Sequence, residues 1–176
     1  LKLKSLYKNQ RMEFVFMTAY SNLECGHLDV ARKGFVEVDK GVHSDYTAPA
    51  QYAIGYIDYT SGLFSDALNS FEKAVKDHRF KEVASYYIFE CKFLLKDYDY
   101  VIKHGKSMVE AAPAERKPHL ARLVSEAYLV RGDLDNARTF YQHTLNVDKS
   151  ENTRSDWFFR GSLMYALKDY KGAVEN

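Results

Sequence analysis

Apolar residues along this chain recur at the three-to-four-residue spacing of amphipathic helices, and short polar turns interrupt that pattern at a regular interval. The turn anchors are Gly26, Gly62, Lys96, Gly132 and Lys168, spaced 34 to 36 residues apart. Five residues beyond each stands a small side chain: Ala31, Ala67, Val101, Ala137 or Ala173. A period of this length predicts paired helices stacked as a repeat array. The pattern places them at roughly 12–25 and 29–41, 48–61 and 65–77, 81–95 and 99–111, 118–131 and 135–147, then 154–167 and 170 onward. Proline stands only near helix ends: Pro49 and Pro118 suit a first turn, and Pro113 suits a connector.

The same residue types return inside each unit. Seven positions before each anchor stands Ala19, Gly55, Phe89, Ser125 or Gly161, a slot where a small side chain lets the first helix approach the second. Two positions after it an apolar plug closes the turn: Leu28, Phe64, Tyr98, Leu134 or Tyr170. The second helix then carries Phe35, Phe71, Gly105 and Tyr141, followed by Val38, Ala74, Met108 and Thr144. The third unit exchanges two volumes, with Phe89 in the small slot and Gly105 in the aromatic one. A ring on one helix is expected to fill what the other lacks, because cores tolerate swaps that conserve volume.

This pattern resembles the tetratricopeptide repeat. Ile54, Gly55, Tyr59, Gly62, Phe64, Ala67, Phe71 and Ala74 carry the likeness best, together with Trp157, Gly161, Tyr165, Asp169, Tyr170 and Ala173. Pro113 falls where that family often ends its second helix. The resemblance covers residues 12–176 and divides them at about 12–45, 48–81, 82–117, 118–153 and 154–176, the last truncated. Residues 1–11 are expected to be a linker or the end of a preceding helix. The resemblance implies an all-α, right-handed superhelical solenoid of antiparallel helix pairs. Its first helices would line a concave groove, which in most members binds peptides or partner proteins. The fifth unit stops at Asn176 before its sealing aromatic, so the native chain is expected to continue past both ends.

Charge and composition narrow the function classes. With 25 basic and 24 acidic residues there is no polyanion-binding excess, which argues against nucleic acid. No apolar run reaches membrane-spanning length. Cys25 and Cys91 stand about two repeats apart, too far to expect a bridge. No initiator Met or signal peptide precedes Leu1, so the sequence does not fix the compartment. Tyr-rich repeats with such turns are similar to bacterial envelope-associated arrays, and the expectation leans toward the cell envelope or periplasm.

No catalytic pattern stands out. His104, Gly105, Lys106 and Ser107 match the end of a phosphate-binding loop, but Tyr100 holds the place of its first glycine and no strand precedes it. The six histidines form no i, i+4 pair and none stands near a cysteine at ligand spacing, so no metal or other cofactor is expected. No serine occupies a nucleophile-elbow sequence.

The candidate site is the groove. The offset that faces the concave side in the family reads Phe16, Tyr52, Tyr86, Arg122 and Phe158. One turn on come Tyr20, Tyr56, Glu90, Glu126 and Ser162, then Leu23, Tyr59, Phe93, Leu129 and Tyr165. The innermost set, including Tyr59 and Phe93, is expected to pack between repeats, and Tyr52, Tyr56 and Tyr86 are expected to face a ligand. The lysines and asparagines with which chaperone-binding relatives clamp a terminal carboxylate are replaced here by Phe16, Tyr20, Tyr52, Tyr56 and Tyr86. With Arg122 flanked by Glu90 and Glu126, the expectation is therefore a non-enzymatic protein-interaction scaffold or adaptor that binds an extended or helical peptide with apolar anchors and mixed charge, without direct membrane insertion. A carbohydrate or other small ligand stacking on the same rings is one alternative. A structural spacer or self-association module is the other.

Overall fold

The computed structural model describes residues 2–144 and 154–174. Every regular element among them is helical: α1 (Lys2–Glu24), α2 (Leu28–Lys40), α3 (Thr47–Thr60), α4 (Phe64–Ala74), α5 (Lys81–Leu94), α6 (Tyr98–Ala111), α7 (Lys117–Val130), α8 (Leu134–Tyr141), α9 (Arg154–Ala166) and α10 (Tyr170–Val174). Residues 2–11 run on in the same helix as 12–24. After α8 the backbone tightens into a 3-10 turn at Gln142–Thr144, and the predicted helix end at 145–147 lies outside the described residues. The chain forms two compact units, residues 1–95 and 96–176.

Each turn anchor takes a positive φ, 77° at Gly26, Gly62 and Gly132 and 61–63° at Lys96 and Lys168. Such a residue closes a helix by satisfying two of its orphan carbonyls. After α1, the Gly26 N–H donates to the Leu23 carbonyl at 2.9 Å and the His27 N–H to that of Asn22 at 2.8 Å. The same pair of bonds recurs at Gly62–Leu63, Gly132–Asp133 and Lys168–Asp169. On the far side of the turn, Asp97 and Asp133 accept from the amides of Tyr100 and Asn136 and start α6 and α8.

In the first unit Ala19, Ala31, Phe35, Val38, Ala50, Ala53, Ile54 and Ile57 form one buried cluster that joins α1, α2 and α3. The small slots permit close approach. A Cβ on Gly34 would stand 2.7 Å from that of Ala19, and one on Gly55 would meet the Phe71 ring at 2.8 Å. A bidentate ion pair crosses from α2 to α3: Arg32 Nε and Nη2 donate to Asp58 Oδ1 and Oδ2 at 2.6 and 2.9 Å. The Asp58 side chain is 1% exposed and that of Arg32 is 38% exposed, so the charge is buried only at the carboxylate end.

In the second unit the fourth small slot carries a hydroxyl. Ser125 Oγ donates to the Ala137 carbonyl at 2.5 Å and so satisfies a buried polar group with α8 backbone. The side chain standing before Gly105 is Val124 of α7, whose Cγ2 lies 2.5 Å from where a Cβ would be. Phe89 is itself fully buried.

Candidate functional site

Burial on α3 leaves one stripe for solvent. Ala50, Ala53, Ile54, Ile57 and Asp58 turn inward, and Tyr52 and Tyr56 follow one another at i, i+4 on the remaining side. Their environments differ. Tyr52 is partly buried, with its ring centroid 5.7 Å from Phe71, 5.3 Å from Phe80 and 6.1 Å from Tyr87. Tyr56 meets Tyr87 edge-on at 6.1 Å and keeps 40% of its surface in water. Tyr52 thus forms the base of the stripe and Tyr56 its exposed edge.

The same division occurs on α1. Phe16 lies among Phe35 and Tyr46, at 5.4 and 5.2 Å, and stacks at 6.4 Å with Tyr20, which is 48% exposed. Glu24 follows Tyr20 one turn on, and this neighbouring carboxylate raises the pKa of the phenol. Glu13, one turn before Phe16, raises the Tyr46 pKa in the same way.

On α5, Glu90 is 6% exposed, and the hydroxyls of Tyr59 and Tyr86 donate to its two oxygens at 2.7 Å each. A carboxylate in that position is a structural keystone between α3 and α5, and it presents phenol rings rather than its own charge to the surface. Burial first, then the Glu90 carboxylate, pushes the Tyr59 pKa well above the ordinary phenol value.

Tyr87, absent from the sequence-derived set, sits at the centre of this arrangement. Its ring lies 4.9 Å from Phe71 in a stack and 5.2 to 6.1 Å from Tyr52, Tyr56, Tyr59 and Tyr86. The signal for it was available: one repeat earlier the equivalent slot holds Ala53, so a ring there must fill a space that the second repeat leaves to others.

The remaining candidates lie in the second unit. Arg122 Nη1 donates to Glu126 Oε2 at 3.2 Å along α7. Phe158 is 78% exposed and borders a cleft of about 600 Å³ lined also by Trp157, Tyr165, Tyr170 and Val174. Among the described residues no three His, Cys, Asp or Glu side chains converge as a metal site, and no helix is long and apolar enough to cross a membrane.

No protein-family model matches this chain, and no curated protein matches its sequence. By structure it is similar to the 41-to-end form of MamA from Desulfovibrio magneticus RS-1, with a TM-score of 0.78 at 20% identity over 96% of this chain and 92% of that one. It is also similar to an RS-1 MamA double mutant, with a TM-score of 0.77 at 20% identity over 96% and 91%. A further MamA crystal structure gives 0.68 at 18% identity over 89% and 92%. These neighbours are tetratricopeptide-like helical-repeat proteins, and the likeness shows that this chain has an all-α helical-repeat fold.

Proposed function

We propose that this chain is a non-enzymatic interaction scaffold whose first unit holds a partner protein segment on the face formed by α1, α3 and α5. One observation carries the reading. Tyr20 and Tyr56 stand roughly half in water on top of rings that are already packed, Phe16 beneath one and Tyr87 beside the other. A ring fixed by its neighbours loses little freedom when a partner covers it, so the apolar area it offers goes largely into binding. Tyr86 and Glu90 stiffen the α5 end of the face through their hydrogen bond. Tyr52 is its floor.

Site-specific photocrosslinking in the native cell tests this. A benzoylphenylalanine in place of Tyr56 should form a discrete crosslinked product that a probe replacing Lys73, on α4, does not form. Equal products from both positions, or products from position 73 alone, would move the interaction away from the first-helix face.

A further inference from the structure

Charge on the face formed by α1, α3 and α5 is not mixed like that of the whole chain. The i, i+3 and i+4 rows through the candidate rings read Glu13, Phe16, Tyr20, Glu24 on α1, Pro49, Tyr52, Tyr56, Thr60 on α3 and Glu82, Tyr86, Glu90, Leu94 on α5. They hold three exposed carboxylates, Glu13, Glu24 and Glu82, besides the buried Glu90, and no lysine or arginine, in a protein with 25 basic and 24 acidic residues. The basic side chains of these elements lie off those rows, as at Arg11, Lys81 and Lys92.

The carboxylates are placed beside rings. Glu24 stands one turn beyond Tyr20 on α1, Glu13 one turn before Phe16, whose ring lies against Tyr46, and Glu90 accepts from the hydroxyls of Tyr59 and Tyr86. Glu13, Glu24 and Glu82 are themselves exposed. An ammonium or guanidinium is attracted by the face of a tyrosine ring and by a carboxylate at its edge, and the alkyl stem of Lys or Arg covers apolar ring surface while its head stays polar. An acidic peptide would be repelled by Glu13, Glu24 and Glu82 on the same rows.

We infer that the segment held on this face is basic, with a Lys or Arg side chain laid across Tyr20 or Tyr56 and its charge directed to Glu13 or Glu24. This rests on the reading of the face as an interaction surface and adds the chemistry of its occupant.

The test is selection from a displayed library of random peptides on the purified chain, followed by titration of the strongest synthetic peptide against three proteins. These are the parent, Tyr20→Ala with Tyr56→Ala, and Glu13→Gln with Glu24→Gln, each checked by its helical circular-dichroism signal. Selected peptides should be enriched in Lys or Arg next to an apolar residue. Replacing that residue by norleucine or citrulline should weaken binding to the parent about tenfold, and binding to the glutamine variant hardly at all. Peptides that need the two tyrosines but show no basic enrichment, or no sensitivity to the glutamine changes, overturn the charge assignment and leave the face standing. Peptides indifferent to the tyrosine changes, or no selection at all, overturn both.

Discussion

Replacing Gly105 with alanine sets two effects of known size against each other. In a helix interior alanine is worth about 1 kcal/mol more than glycine, which favours the substitution. Against it, the added Cβ would stand 2.5 and 2.8 Å from the two Val124 methyls and 3.3 Å from its Cβ. Val124 is 0% exposed in the middle of α7 and, being β-branched, has one strongly preferred helical rotamer, so it has nowhere to turn. Overpacking a core by a methyl group costs about 1–3 kcal/mol, so the clash should win and leave a net loss of about 1 kcal/mol. Val124→Ala alone removes two buried methyls and should cost about 1–3 kcal/mol. The double variant should lose about 1–2 kcal/mol less than the sum, because the new methyl enters the space that valine vacates. Urea unfolding followed by far-ultraviolet circular dichroism and by tryptophan fluorescence measures each corner of the cycle. The only tryptophan, Trp157, lies in the same unit as both residues. If Gly105→Ala stabilises the protein by its full propensity gain, or if the two changes add, Val124 is not what requires the glycine.

The Arg32–Asp58 pair should fail unequally. Arg32→Met strands a fully buried carboxylate and should cost about 3 kcal/mol or more, whereas Asp58→Asn leaves a guanidinium that already reaches water and should cost clearly less, about 1–2 kcal/mol. Equal losses in urea titrations would contradict this. Burial, with the Glu90 charge second, pushes the Cys91 thiol from 9.0 to about 12, so an alkylating reagent at pH 8 should modify exposed Cys25 quickly and Cys91 only after unfolding. The same shift fixes a sign. The unfolded chain releases this proton near pH 9 and the folded chain near 12, so the contribution of Cys91 to stability is whole below pH 9 and lost as pH rises toward 12. Tyr59 acts in the same direction, and a Cys91→Ala variant should show a shallower alkaline decline in its urea midpoint than the parent.

The repeat was legible because each unit needs a residue that accepts positive φ and a small residue where helices touch, and both leave marks in the sequence. Most predicted helix ends agree with the structure to one residue, as at Thr60 and Leu94. The division of the candidate rings into base and edge was not legible. Phe16 and Tyr52 are covered by Tyr46 and Phe80, which belong to the connectors before α3 and α5, outside the helical slots that mark the repeat. Glu90 looked like a surface charge because its offset faces the groove, and only the convergence of Tyr59 and Tyr86 on its two oxygens accounts for a buried acid there. Gly105 also faces Val124, a side chain of the next repeat that no slot of its own repeat announces.

The left-handed turn anchors bear on how such a chain changes over evolutionary time. The backbone at the anchor demands a sign of φ and leaves the residue open: glycine supplies it at Gly26, Gly62 and Gly132, and lysine, at a modest conformational cost, at Lys96 and Lys168. A consensus that insisted on glycine would recognise only three of these five turns. Substitution can therefore erode the written signature of the repeat while the turn persists: at Lys168 a lysine anchor closes the same two hydrogen bonds as the glycines do. That tolerance gives a physical reason why this chain shares a fold with proteins only 18–20% identical to it, while no family description fits its sequence.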